Sequence, residues 1–205
     1  MIESVRNMKR GEVKKLVDAR IEEFRKIGKK SSDTLFKELC FCILAANFNA
    51  DKSMKIQEEI DDGFLTLTED QLAIKLKNLG HRYPYMRAKY IVEARKYKNS
   101  LKQIVESFKD GNRLREWLVK NVRGIGYKEA SHFLRNIGYT DLAIIDYHIV
   151  NLLVKHGLIE RPRTLTRRRY MEIEKLLRGI AKRLGLTLAE LDLYLWYVET
   201  GKILK

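Results

Sequence analysis

The sequence predicts an all-α fold of two helical lobes with a cleft between them, on three observations. Apolar residues recur at three- and four-residue spacing along most of the 205-residue chain. Caps and stop signals punctuate that pattern at short intervals. No stretch alternates apolar and polar residues between turn signals, as a half-buried strand would. Ten to twelve short helices are expected, and so many elements in a chain of this length seldom share one layer, which is why two lobes are anticipated.

The elements follow in order. Val13, Leu16, Val17, Ile21 and Phe24 form one apolar face with charges opposite, so the first helix spans about 10–28. Ser32 or Asp33 is placed to cap a second, more apolar helix carrying Leu35, Leu39 and Ile43, which should end near Asn47-Phe48-Asn49 because asparagine favours caps and turns. That helix is the natural central element. An amphipathic segment runs from about Ala50 to Ile60, and Thr68-Glu69-Asp70-Gln71 has capping-box spacing before Leu72–Leu79. Gly80 stops that helix, and His81-Arg82-Tyr83-Pro84-Tyr85 links it to a basic helix from Met86 to Tyr97. Helices at about 100–109 and 112–121 lead to a glycine turn. Beyond Arg161-Pro162-Arg163, an exposed basic connection, a helix at about 167–184 ends at Gly185, and Thr187 caps the last one, whose buried stripe is Leu188, Leu191 and Leu195.

Composition narrows the function. Lys and Arg number 41 against 27 Asp and Glu, a net charge of +14 spread along the chain, which favours a folded nucleic-acid binder over a basic tail. Cys40 and Cys42 would leave a helix about 200° apart. They read as core packing in a reducing compartment, and an iron-sulfur centre held by cysteines is excluded because the chain has only two. No metal site is expected. The N-terminus lacks the apolar segment of a signal peptide and no run of eighteen apolar residues occurs, so a cytoplasmic protein, nucleoid-associated through nucleic acid, is the expectation.

The chemistry centres on Val122-Arg123-Gly124-Ile125-Gly126-Tyr127-Lys128 and on Asp146, eighteen residues beyond Lys128. Gly124 and Gly126 let main-chain amides approach a phosphate, and the helix behind them adds its own unpaired N–H groups. Lys128 stands at the mouth of that helix. The apolar strip Leu142–Ile145 delivers Asp146, which is also suited to cap the helix after it. Residues 122–138 with 142–153 resemble the helix-hairpin-helix plus Asp motif of the DNA glycosylase superfamily. Arg123 departs from the proline usual before the first glycine, a change expected to affect hairpin rigidity rather than activity.

The resemblance extends further. Ala45-Ala46-Asn47-Phe48-Asn49 looks like the segment from which 8-oxoguanine glycosylases fill the space of a flipped base, and Leu79-Gly80-His81-Arg82 is similar to their wedge loop. An all-helical chain of this length most resembles the archaeal-type (type 2) 8-oxoguanine DNA glycosylase/lyases. That likeness implies a lobe at about 30–120, a second lobe of 1–29 plus 121–205 holding the hairpin and Asp146, and a DNA-binding cleft between them. It implies excision of 8-oxoguanine from duplex DNA in base excision repair by a monomer. Lys128 would attack C1′, form a Schiff base and permit β-elimination, and Asp146 would stabilise positive charge developing on the sugar.

Asn47 is the candidate plug, Arg82 the reader of the opposite base, His81 a neighbouring wedge and His148 a contact near the DNA backbone. Trp196 would supply the flat wall of the base pocket, and Lys205 would reach it if the tail docks. Trp117 is better suited to packing. No organic cofactor is implied, although hairpin carbonyls would hold a monovalent cation. Two alternatives stay open: a glycosylase for oxidised pyrimidines or other damaged bases, and a non-catalytic helix-hairpin-helix module whose Lys128 only touches phosphate.

Overall fold

The computed structural model describes residues 1–205, all in helices and their connections. In order these are α1 Ile2–Met8, α2 Glu12–Gly28, α3 Ser32–Ala45, α4 Ala50–Ile60, α5 Gly63–Thr66, α6 Glu69–Asn78, α7 Pro84–Ala94, α8 Leu101–Ser107, α9 Gly111–Asn121, α10 Tyr127–Asn136, α11 Tyr147–Lys155, α12 Arg167–Leu184 and α13 Leu188–Thr200, with a 3-10 turn at Arg95–Tyr97. The all-α expectation holds. The helices α1 and α5 lie outside the expected set: at seven and four residues, each is shorter than the window over which apolar periodicity can be read.

Local chemistry sets most boundaries. Thr68 and Gln71 form the reciprocal capping box of α6, and Thr187 with Glu190 forms that of α13. Ser31, rather than Ser32 or Asp33, caps α3, accepting from the Thr34 amide at 3.4 Å. The Ser32 hydroxyl instead accepts from the Lys102 amide at 3.0 Å and ties α3 to the start of α8.

Helix α3 is the centre of the first lobe. Ten of its residues are buried, and it packs against α4, α5, α7, α8 and α10. Cys40 and Cys42 lie fully inside as free thiols, and burial pushes both well above the ordinary thiol range. Trp117 packs edge-on against Tyr97 at 5.0 Å, a core role. The second lobe gathers α1, α2, α11, α12 and α13. The hairpin sits differently from expectation. Val122, Ile125, Ala130, Phe133 and Leu134 join the first core, so by buried packing the division falls between Leu142 and Ala143 and not at residue 121. The apolar face of α10 turns to α3, and only tertiary packing decides that. Helix α2 touches both lobes: a Cβ on Gly28 would lie 2.1 Å from the Ile137 carbonyl oxygen, a contact closed to any larger residue.

The lobes are joined by a buried polar network. Arg115, 1% exposed, makes paired bonds to Glu174 at 2.6 and 3.0 Å and a third to the Ser131 hydroxyl. Glu174 also accepts from the Ala143 amide at 2.9 Å. The Tyr170 hydroxyl donates to the Ala143 carbonyl at 2.6 Å and accepts from the Ile145 amide at 3.2 Å. This network fixes the extended strip leading to Asp146. Glu174→Ala is expected to destabilise the protein by about 3–5 kcal/mol, because it strands the Arg115 charge in the interior. Denaturant unfolding at pH 7 checks this, and a loss below about 1 kcal/mol would show the pair to be dispensable.

Candidate active site

The cleft between the lobes opens into a cavity of about 780 Å³, within the range of small-molecule sites. Lys128, Asp146, Asn47, Arg82, His148, Trp196 and Lys205 all line it. Gly124, Gly126 and His81 do not.

Asp146 is the cap of α11. Its Oδ1 accepts from the Ile149 amide at 2.9 Å, so the side chain is fixed while its second oxygen is left for the cavity. Lys128 lies in the first turn of α10, three-quarters buried, with Nζ 3.6 Å from Glu129 Oε1. Its ion pair is therefore with Glu129 and not with Asp146; the two candidate catalytic groups share the cavity without pairing to each other. Glu129 uses its other oxygen to accept from the Gly126 amide at 3.2 Å. The N-terminus of α10 is braced further by Tyr127, whose hydroxyl donates to Glu116 at 2.6 Å and accepts from Arg167 at 2.7 Å.

The hairpin is pinned from below. Gly124 has φ +84°, and a Cβ there would stand 2.3 Å from Tyr90 Cδ2, so this position requires glycine on both counts. Arg123 pairs with Glu93 at 3.1 Å and lies 5.1 Å over the Tyr90 ring, clamping the turn to α7. The residue that replaces the usual proline thus supplies rigidity by side-chain contact. Gly126 has an extended backbone, and Glu129 occupies its amide, which corrects the expectation that this amide faces phosphate. The amides of residues 123–125 and 127–129 donate no bond within the chain and remain for that role.

Asn47 is exposed with φ +55°, a left-handed conformation that asparagine tolerates better than most residues. Buried Arg87 donates to the Ala46 carbonyl next to it and so holds the turn. Arg82 is exposed at the cavity rim, 5.1 Å over Tyr83. His81 overturns its reading as a wedge. It is 4% exposed, its Nε2 donates to the Leu44 carbonyl at 3.1 Å, its Nδ1 accepts from the Tyr83 amide at 3.0 Å, and its ring lies 4.2 Å from Phe48. Burial lowers its pKa, with Arg87 adding to the effect and the Leu44 carbonyl opposing it. His81 braces the loop beneath Asn47 instead of reaching outward.

On the facing wall, exposed His148 meets Trp196 edge-on at 5.3 Å. The tail folds back after Gly201 breaks α13: Lys202 pairs with Asp51 at 3.3 Å, and the Lys205 ammonium binds Glu38 at 3.1 Å, bonds Gln57 and lies 4.6 Å over Phe41. Leu204 and Lys205 therefore form part of the cavity wall.

Several cavity residues were missed by sequence reasoning. Asp192 on α13 pairs with Arg135, and burial raises its pKa, with Arg135 opposing and Asp146 adding to the rise. Arg135 and His132 follow Lys128 on α10 at seven and four residues, a helical spacing that was the available signal.

A family model described as 8-oxoguanine DNA glycosylase matches residues 17–186. The chain is 55% identical over 206 residues to an 8-oxoguanine DNA glycosylase/AP lyase of Methanocaldococcus jannaschii, covering 100% of this chain and 99% of the relative. It is 53% identical to a protein of the same description from Korarchaeum cryptofilum, covering 100% and 98%. Among solved structures, the M. jannaschii 8-oxoguanine glycosylase/lyase in complex with a 15mer DNA containing 8-oxoguanine superposes with a TM-score of 0.97 at 55% identity, covering 100% of this chain and 99% of that one.

Proposed function

This chain belongs to the 8-oxoguanine DNA glycosylase family, and on that premise we infer a bifunctional DNA glycosylase/AP lyase that excises 8-oxoguanine from duplex DNA in base excision repair. The observation that carries the chemical assignment is the opening of Lys128 and Asp146 into one cavity that Trp196 also lines. A base extruded from the duplex enters that cavity and stacks against Trp196. The glycosidic bond breaks with its electron pair leaving on the base, and the Asp146 carboxylate stabilises the positive charge that develops on the sugar. The lone pair of the Lys128 amine forms the bond to C1′ that the base has left, and the C1′–O4′ bond then opens, O4′ taking up a proton that the nitrogen releases, to give the Schiff base. Removal of a C2′ proton then expels the 3′ phosphate, and hydrolysis of the imine frees the lysine.

Asn47 fills the gap in the duplex and Arg82 donates to the orphaned base. His148 contacts the DNA backbone, and the free hairpin amides hold a neighbouring phosphate. The carbonyls of residues 122–125 accept no hydrogen bond within the chain, which suits them to a monovalent cation. No chemical step depends on that ion. The protein works as a monomer. No helix is long and apolar enough to cross a membrane.

The test is borohydride trapping on a duplex carrying 8-oxoguanine opposite cytosine: a covalent adduct is expected, and none from the wild-type protein would sink the lyase assignment. A clear preference for thymine glycol over 8-oxoguanine would overturn the substrate. Deleting Leu204 and Lys205 is expected to lower 8-oxoguanine excision by roughly 10–100-fold, the scale of charged hydrogen bonds lost from a partly buried site. Binding to undamaged duplex, measured by anisotropy, should change less. Unchanged excision would leave the tail without a role in the pocket.

A further inference from the structure

His132 lies one helical turn beyond Lys128, so both side chains leave the same face of α10. It lines the same cavity and is 7% exposed. Neither of its ring nitrogens makes a hydrogen bond of normal length and angle, although the main chain of Lys205 lies close enough to act on the ring. A buried imidazole with both nitrogens unpaired calls for an explanation, because such groups are normally satisfied. The ring is nonetheless held in place, meeting Phe41 edge-on with centroids 5.4 Å apart and planes at 83°. The other face of this problem is Trp196, whose indole nitrogen is the remaining unpaired buried polar atom among the cavity-lining side chains.

We propose that His132 is a specificity-determining residue for base removal, its ring hydrogen-bonding the edge of the extruded base at the back of the cavity. The inference rests on the reading of this cavity as the 8-oxoguanine pocket. A base edge carries donors and acceptors side by side, and a neutral imidazole offers one of each. Burial holds the ring well below the ordinary imidazole range, with the charges of Arg135 and Lys128 pushing the same way and the Lys205 main chain opposing, so it is neutral at pH 7. The main chain of Lys205 is the protein group on hand for the ring, no bond of normal geometry to it forms, and the edge of the extruded base completes the nitrogens. An abasic site brings no base, so the same contact is absent from the lyase step on such a substrate.

The experiment compares wild type, His132→Phe and His132→Gln on two duplexes, one with 8-oxoguanine opposite cytosine and one with a preformed abasic site. Phenylalanine keeps a ring against Phe41 and removes both nitrogens; glutamine restores a donor and an acceptor. Excision of 8-oxoguanine by His132→Phe should fall by about 10–100-fold. Cleavage of the abasic duplex should stay within about threefold, and His132→Gln should recover part of the excision. Wild-type excision by His132→Phe overturns this inference alone. So does a parallel fall of both activities in both variants, which marks His132 as structural. A wild-type protein inactive on the 8-oxoguanine duplex overturns the inference together with the reading beneath it.

Discussion

Lys128→Gln is expected to abolish borohydride trapping and to lower base excision and strand cleavage by roughly a thousandfold or more, as removal of an attacking nucleophile does. Glutamine has similar reach, carries no charge and cannot form an imine. Duplex binding should fall only severalfold, since Lys128 is one cation among many in a chain of net charge +14. Stability should change by under about 1 kcal/mol, because the ion pair that is lost is long, at 3.6 Å, and only partly shielded from water. A persisting adduct would transfer the nucleophile to another amine. Lys205 lines the same cavity, so loss of that adduct on removing the last two residues would identify it.

Asp146→Asn separates two roles held by one side chain. Asparagine caps a helix as well as aspartate does, so the bond to the Ile149 amide and the start of α11 should survive, with little change in melting temperature. The carboxylate is lost. Excision should then fall by about 100–1,000-fold, the scale seen when a group aimed at transition-state charge is removed. Asp146→Ala removes the cap as well and should cost a further ~1 kcal/mol of stability. Single-turnover excision with thermal unfolding of both variants measures this. An Asp146→Asn protein that excises at the wild-type rate would reduce Asp146 to a helix cap.

Much of the fold was legible because helix signals act over three or four residues. Arg167–Leu184, the capping box at Thr68 and the cap at Thr187 follow from such local rules, as does the C-terminal stop at Gly185. Lys128 and Asp146 were legible for the same reason, each being tied to the start of its own helix. His81 was misplaced because its two partners, the Leu44 carbonyl and the Tyr83 amide, depend on how α3 meets the loop after α6. A histidine on an exposed-looking loop carries no sequence mark of both nitrogens being used.

By itself, the sequence determined an all-helical chain, the glycine hairpin and a basic charge balance, since each depends on spacing along the chain or on composition, while resemblance to a known motif singled out Lys128 and Asp146 as candidates. The tertiary structure alone decided that the hairpin buries its apolar face against α3 and that Lys128 pairs with Glu129 while Asp146 stands apart. It also decided that Arg115, Glu174 and Tyr170 fix the strip before Asp146, and that Lys205 returns to Glu38 across most of the chain length. Apart from the adjacent Lys128–Glu129 pair, these contacts join residues tens to more than a hundred positions apart. Their partners are chosen by which apolar faces meet when the lobes close, and no local rule specifies that.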